Sequence, residues 1–331
     1  MNSKPETRNL KLTLLSIFGT PWLKWAYIII LFSGAGYYTV VNLGKFLQLL
    51  NQTRLEMIGL ALLTTVIGIM WFGFTYYSLF RDMGSRISYP QAIKITTFSL
   101  LGKYLPGKVL TFGNFYLFSR EMDIPTRTIA FSFLLVNLMI ILIGLLCGLP
   151  LLPILLPSLS YSIILLPVIL ILALHPKILR WIIIFIWKWI RRYRKESPSI
   201  DQPFLEELDR RFYFKITIFV LINFVIGGTA FYFSLAAFVP LPLVGYPLCV
   251  FGAALSTTIG FLALFAPAGI GVREGVSVVV LKSIAAPEAV VMAVIASRAL
   301  MAVVEVGGAL TLIILKLAYL TNIFQVKRID R

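Results

Sequence analysis

The feature that most constrains this chain is a series of uninterrupted apolar runs, each long enough to cross a bilayer. A hydrocarbon layer of ~30 Å takes about 20 helical residues. The chain offers six such runs, at 22–41, 57–80, 128–149, 151–173, 212–239 and 289–316. They are continuous rather than alternating. Inside lipid a bare backbone amide has no partner, so only helices or closed barrels span, and continuous runs select helices. The fold class expected is therefore all-α, a polytopic membrane bundle forming a single transmembrane domain over 1–331. A composition of 59% hydrophobic and 13% charged residues is outside the soluble range.

Lys11 and Lys24 precede the first apolar stretch, the arrangement a signal peptide also has. Trp22 to Val41 is long enough to span, so the expectation is a retained helix.

The formal charge of +16 would suit a nucleic-acid binder, but its distribution does not. The basic residues lie between the apolar runs, where cytoplasmic loops collect Lys and Arg and meet anionic lipid. Lys4, Arg8, Lys11 and Lys24 flank the first run, and Arg81 and Arg86 sit in the 81–89 link. Segment 174–211 carries nine more, from Lys177 to Arg211, and the tail carries Lys327, Arg328 and Arg331. These are assigned to the inside. The uncharged 240–245 link and the 42–56 loop, with only Lys45 and Arg54, are assigned outside. Both termini are then cytoplasmic. The stretch 177–195 mixes Trp and Ile with Arg and Lys, as an interfacial helix does.

Two further apolar regions, 90–119 and 246–285, are broken in the middle. The first turns at Pro106 and Gly107; its flanks, 90–103 and 108–119, reach only ~20 Å as helices, too short to cross. The second runs as a helix from Leu248 to Phe265, breaks at Pro267, Gly269 and Gly271, and restarts near Val272. Proline lacks an amide hydrogen and glycine admits unusual dihedrals, so each chain segment is expected to enter, turn and leave on one side. Irregular backbone at that depth requires burial in protein or a wet cavity.

The two breaks repeat one another. Pro125 follows Pro106 by 19 residues and Pro287 follows Pro267 by 20, each just before a long apolar helix. A spanning run precedes each break, which defines repeats at 57–149 and 212–316. The basic residues give the two copies opposite topology, the inverted-repeat plan of alternating-access transporters.

Charges within spans are costly, at roughly 2.5–3.5 kcal/mol each, so those present carry information. Lys103, Tyr104 and Lys108 border the first break. Arg273 and Glu274 fall in the first turn after the second, where a helix start already favours anions and a guanidinium matches phosphate. Arg298 and Glu305 are seven residues apart on one face of the last span, as a structural ion-pair network or as a polar path. Arg120, Glu121 and Asp123 read as a membrane-boundary group. Cys147 and Cys249 lie in apolar runs, and His175 precedes Pro176 at a helix end. None of the three suggests a metal site or a disulfide.

Residues 102–125 (GKYLPGKVLTFGNFYLFSREMDIP) and 265–275 (FAPAGIGVREG) resemble the two signatures of the lysylphosphatidylglycerol synthetase transmembrane-region family. The resemblance extends over roughly 20–320. It implies movement of lipids, including aminoacylated phosphatidylglycerol, between leaflets. The chain departs from the family pattern at Lys108, where a further glycine is common, and at Asn137, where an acidic–basic pair often occurs. Its longest polar stretch is only around 191–211, so a soluble synthetase domain is not expected and neither is lipid synthesis.

The function expected is a flippase or lipid-linked transporter for an anionic, phosphate-bearing lipid, aminoacylated or polyprenyl-linked forms included. It would be a multi-pass protein of the cytoplasmic membrane, not an enzyme, with no cofactor, no metal and no nucleic-acid partner; a homo-oligomer is compatible with it. Its substrate-binding residues would be Lys103, Tyr104, Lys108, Arg273, Glu274, Arg298 and Glu305. The rivals are a transporter of a small anionic solute and an intramembrane lipid-modifying enzyme. The enzyme reading lacks a HExxH motif, an acidic metal cluster or a triad. No GxxxxGK[ST] loop offers direct use of ATP.

Overall fold

The computed structural model describes residues 40–104, 109–151, 162–191, 209–263, 266 and 269–329. Among these residues there are eleven α-helices and no strands. They are α1 (Leu43–Asn51), α2 (Leu55–Asp82), α3 (Tyr89–Leu101), α4 (Val109–Arg120), α5 (Thr126–Gly148), α6 (Ser162–Ala173), α7 (Pro176–Arg191), α8 (Arg210–Ala236), α9 (Tyr246–Leu262), α10 (Val272–Leu281) and α11 (Pro287–Ile329). The protein is an all-α, multi-pass membrane bundle.

Local chemistry starts the helices where the chain needs them. The Asp209 carboxylate accepts from the Phe212 amide at 2.9 Å and caps α8. At α3 the Gln91 side chain reaches back to accept from the Ser88 amide at 2.8 Å, and Pro90 occupies the first turn, where a missing N–H costs nothing.

Among the described residues five helical stretches are long and apolar enough to cross a membrane: Leu55–Asp82, Thr126–Leu151, Arg210–Ala236, Leu243–Leu262 and Pro287–Leu315. Four of them coincide with expected spans. The 243–262 stretch was expected as one arm of an interrupted region, and its helix starts at Tyr246 and stops at Leu262, not Phe265. Its added length comes from a 3-10 turn, Leu243–Gly245, that runs directly into α9. Most of the expected 22–41 span lies outside the described residues, as does the first half of 151–173. The described remainder, α6, meets α7 at a bend of 78°. Leu179 and Ile183 on α7 are buried, while Trp181 and Phe185 stack on each other at 5.7 Å on its exposed side. The Arg180 guanidinium lies 5.5 Å from the centre of the Tyr213 ring and fastens α7 to the start of α8.

The 42–56 segment also differs from the loop expected. Leu43–Asn51 is a helix that buries Phe46 and leaves Leu43, Leu47 and Leu50 exposed. Its pattern is too short and too mixed with Asn and Gln to stand out from hydropathy alone. Lys45 pairs with Glu288 at 2.6 Å and ties α1 to the start of α11.

The centre of the bundle is the antiparallel pair α2 and α8. The Arg54 amide, at the start of α2, donates to the Ala237 carbonyl at 2.9 Å, just past the end of α8. At the other end Lys215 pairs with Asp82, and between them the Trp71 indole donates to the Phe219 carbonyl at 2.9 Å. Around this pair, α2–α3–α4–α5 and α8–α9–α10–α11 follow the same succession of long, short, short and long helices. Their packing partnerships correspond one to one. As α3 packs on α2, α4 and α11, so α9 packs on α8, α10 and α5; α11 packs on α2 as α5 packs on α8.

Lipid is as apolar as leucine, so helices in a membrane associate through close packing rather than hydrophobic burial alone. Two apolar cores result. One gathers Tyr76, Phe80, Phe115, Phe131, Met139 and Tyr213; the other gathers Leu235, Cys249, Val280, Leu281, Val290 and Val294. Side chains such as Leu63, Ile67, Val303 and Ile314 remain on the outer surface. Gly228 lets α8 approach the α9 backbone so closely that a Cβ would sit 2.5 Å from Val250 Cα. Backbone cannot swing aside as a side chain can. Gly228→Ala is expected to cost about 1–3 kcal/mol in a denaturant unfolding titration.

Candidate functional site: a charged cluster where two hairpins turn

Each interrupted region folds as an antiparallel hairpin. In the first, the Ser99 hydroxyl donates to the Thr111 carbonyl at 2.9 Å and the Asn114 amide donates to the Phe98 carbonyl at 3.2 Å. Further out, Phe98 stacks on Phe118 at 4.5 Å, and Lys94 pairs with Glu121 at 2.9 Å. A Cβ on Gly102 would lie 2.7 Å from the Thr111 amide nitrogen, which shows how tightly the arms close near the turn. In the second, Gly252 faces Val280 and Gly260 faces Arg273. Both hairpins therefore return toward the end from which they entered.

The chain beyond the first arm tightens into a 3-10 turn, Gly102–Tyr104. Lys103 projects from it to α11. Its ammonium lies 2.5 Å from Glu305 Oε1 and donates to the Met301 sulfur at 3.2 Å. Glu305 is 1% exposed, so its carboxylate is held inside the bundle by this lysine. The charges of Arg273 and Arg298 also bear on Lys103.

The second hairpin meets the same helix with the polarity reversed. Glu274 Oε1 accepts from the Arg298 guanidinium at 2.6 Å. Its other oxygen accepts from the Gly271 amide at 2.6 Å, which caps the start of α10. Gly271 and Gly269 have φ of +84° and +72°, a region that L-residues enter only with strain. So α11 presents a cation to one hairpin and an anion to the other, two turns apart.

The structure thus brings Lys103, Arg273, Glu274, Arg298 and Glu305 into one cluster. Arg298 and Glu305 share a face of α11, but each pairs with a different hairpin rather than with the other. Tyr104 ends the 3-10 turn. Lys108, Pro106, Gly107 and Pro267 lie outside the described residues. Two participants escape a charge-based reading, Met301 and Gly260. Met301 is signalled by its spacing, three residues after Arg298 and four before Glu305 on a helix. Gly260 carries no such signal. The Arg120–Asp123 group forms a turn in which Arg120 donates to the Ile124 carbonyl at 3.3 Å and Asp123 takes a φ of +56°.

Long apolar helices, two folded-back hairpins and a charge cluster on a candidate span define a multi-pass membrane protein with a polar centre. The chain belongs to the family described as the lysylphosphatidylglycerol synthase TM region, whose model matches residues 16–307. No curated protein matches its sequence.

Proposed function

We propose that this protein moves a phosphate-bearing anionic lipid between the leaflets of the cytoplasmic membrane, as a transporter and not as an enzyme. The observation that carries the reading is the cluster of Lys103, Arg273 and Arg298 with Glu274 and Glu305. Three cations against two anions leave a net charge of +1, which an anionic head group neutralises. Such charges are retained at membrane depth only against their insertion cost. Guanidinium groups hold phosphate oxygens through paired, directional hydrogen bonds.

The corresponding packing of the two helix sets, together with the antiparallel α2–α8 pair, supports an inverted repeat. That plan puts a substrate site between two elements that rock against each other. Both termini then face the cytoplasm, and the basic α7 lies along the inner surface. Membership of a family named for a lipid synthase favours a lipid over a small solute as cargo.

The test is reconstitution into phosphatidylcholine vesicles containing a fluorescent phosphatidylglycerol analogue, with leaflet exchange followed by quenching from outside. Wild-type protein is expected to accelerate exchange over empty vesicles. Arg273→Ala removes a charge-assisted contact of ~1.5–3 kcal/mol and should slow exchange by about tenfold or more. Exchange no faster than in empty vesicles, over a series of anionic lipids, would sink the proposal.

A further inference from the structure

The two carboxylates of the cluster are held in different ways, and the difference assigns them different roles. Both oxygens of Glu274 have partners, and one is fixed by local chain geometry: the Gly271 amide, three residues back, takes it, while Arg298 on α11 takes the other. Displacing this carboxylate would uncap α10 at the point where the backbone leaves its left-handed turn. Glu305 is held otherwise. Its Oε1 is gripped by Lys103, a residue 202 positions away, on a 3-10 turn beside the break in the first hairpin. Lysine is a compact charge on a flexible stem, with no geometric fork that commits it to one carboxylate. Arg273 and Arg298 act on the same lysine, so a second anion arriving there meets three cations.

We infer that Glu305 is a tethered competitor of the substrate: it occupies Lys103 in the unloaded protein, and the substrate phosphate displaces it from that ammonium. This rests on the lipid-transport reading above and adds how the site is kept closed and then opened. While Glu305 holds Lys103, the first hairpin is pinned to α11 and the two charges of the pair compensate each other. An uncompensated buried charge is the costly state, so the pair holds until another anion takes over its lysine. When phosphate takes over Lys103, the pin between hairpin and helix is released. Binding and movement are thereby coupled through one exchange of anions. Glu274 stays in place throughout and keeps Arg298 and the α10 cap ordered.

Competition has a signature that a merely structural ion pair lacks. Removing a structural partner weakens binding; removing a competitor strengthens it. The readout is binding of a short-chain fluorescent phosphatidylglycerol to purified protein in detergent. Glu305→Gln is expected to bind about tenfold more tightly than wild type, equivalent to ~1.4 kcal/mol. Lys103→Met/Glu305→Gln should lose that gain. Should Gln at this position prevent folding, Glu305→Asp carries the same test. Its carboxylate is one methylene short of Lys103, so it competes less well and binding should tighten to an intermediate degree.

Unchanged or weaker binding in Glu305→Gln and Glu305→Asp, with wild-type protein that does move the lipid, overturns the inference and leaves the transport reading intact. Wild-type protein that neither binds nor moves the analogue overturns both. Inorganic phosphate, added as a competitor against Glu305→Gln, separates the sources of the anion. Displacement only at high phosphate concentration supports a head group held also through its lipid. Displacement at equal concentrations overturns the lipid as the displacing species.

Discussion

Lys103→Met is expected to lower unfolding stability by about 3–5 kcal/mol, and Lys103→Met/Glu305→Gln to recover most of that loss. The single substitution removes the cation 2.5 Å from a carboxylate that is 1% exposed. Breaking a buried pair from one side leaves a charge without compensation, and that is what makes it expensive. Arg273 and Arg298 are close enough to act on the lysine position, which places the effect toward the lower end of the range. Replacing both members removes the stranded charge and keeps a similar volume, a change that is often close to neutral. Denaturant unfolding in detergent measures both. Lipid exchange should be lost in both, because each lacks the ammonium that faces the head group. A double variant no more stable than the single one would show that Glu305 draws its compensation from elsewhere, and the pin between the first hairpin and α11 would then be discarded.

Those two residues also show where sequence reasoning stops. Long apolar runs stand out because a bilayer demands ~20 consecutive residues, and the helices over 57–80, 128–149, 212–239 and 289–316 follow from that alone. The hairpin breaks stand out because Pro and Gly fall together in the middle of an apolar region and leave arms too short to cross. What hydropathy misses is anything set by length near the threshold. The stretch 243–262 passes as a span only through a 3-10 turn that extends α9, and α1 is too short and mixed to register. Pairing is hidden for a different reason. Arg298 and Glu305 share a helix face, so the sequence presents them as neighbours. Their partners, Glu274 and Lys103, are fixed by how two hairpins dock on α11, and no local spacing encodes that. The same holds for Lys45 and Glu288, 243 positions apart. Gly260 is invisible for yet another reason: its role is the absence of a side chain beneath the turn at Gly269.

That absence leads to the second large effect. Gly269→Ala is expected to cost about 2–5 kcal/mol of stability and to abolish lipid exchange. Two independent causes add here. At φ +72° an L-residue carries a penalty of ~1–2 kcal/mol. The new methyl would also lie 2.9 Å from both the Cα and the carbonyl oxygen of Gly260, and overpacking of that kind costs about 1–3 kcal/mol. Neither atom can yield, since both belong to the α9 backbone. A contrasting glycine of the same segment fixes the interpretation. Gly275 sits inside α10, a Cβ there meets nothing within 4 Å, and Gly275→Ala should be neutral or stabilising by up to about 1 kcal/mol through helix propensity. The functional loss follows from the position of Gly260, which supports two things at once. The second hairpin's turn crosses it at Gly269, and the Arg273 side chain lies across it, with its Cγ 2.6 Å from where a Cβ would be. Lifting the turn off Gly260 therefore moves Arg273 away from Lys103 even if the helices hold. Thermal unfolding with lipid exchange on the same preparations separates the two. If Gly269→Ala unfolds earlier yet still moves lipid at the wild-type rate, the turn shapes stability only, and Arg273 does not depend on it for its place in the site.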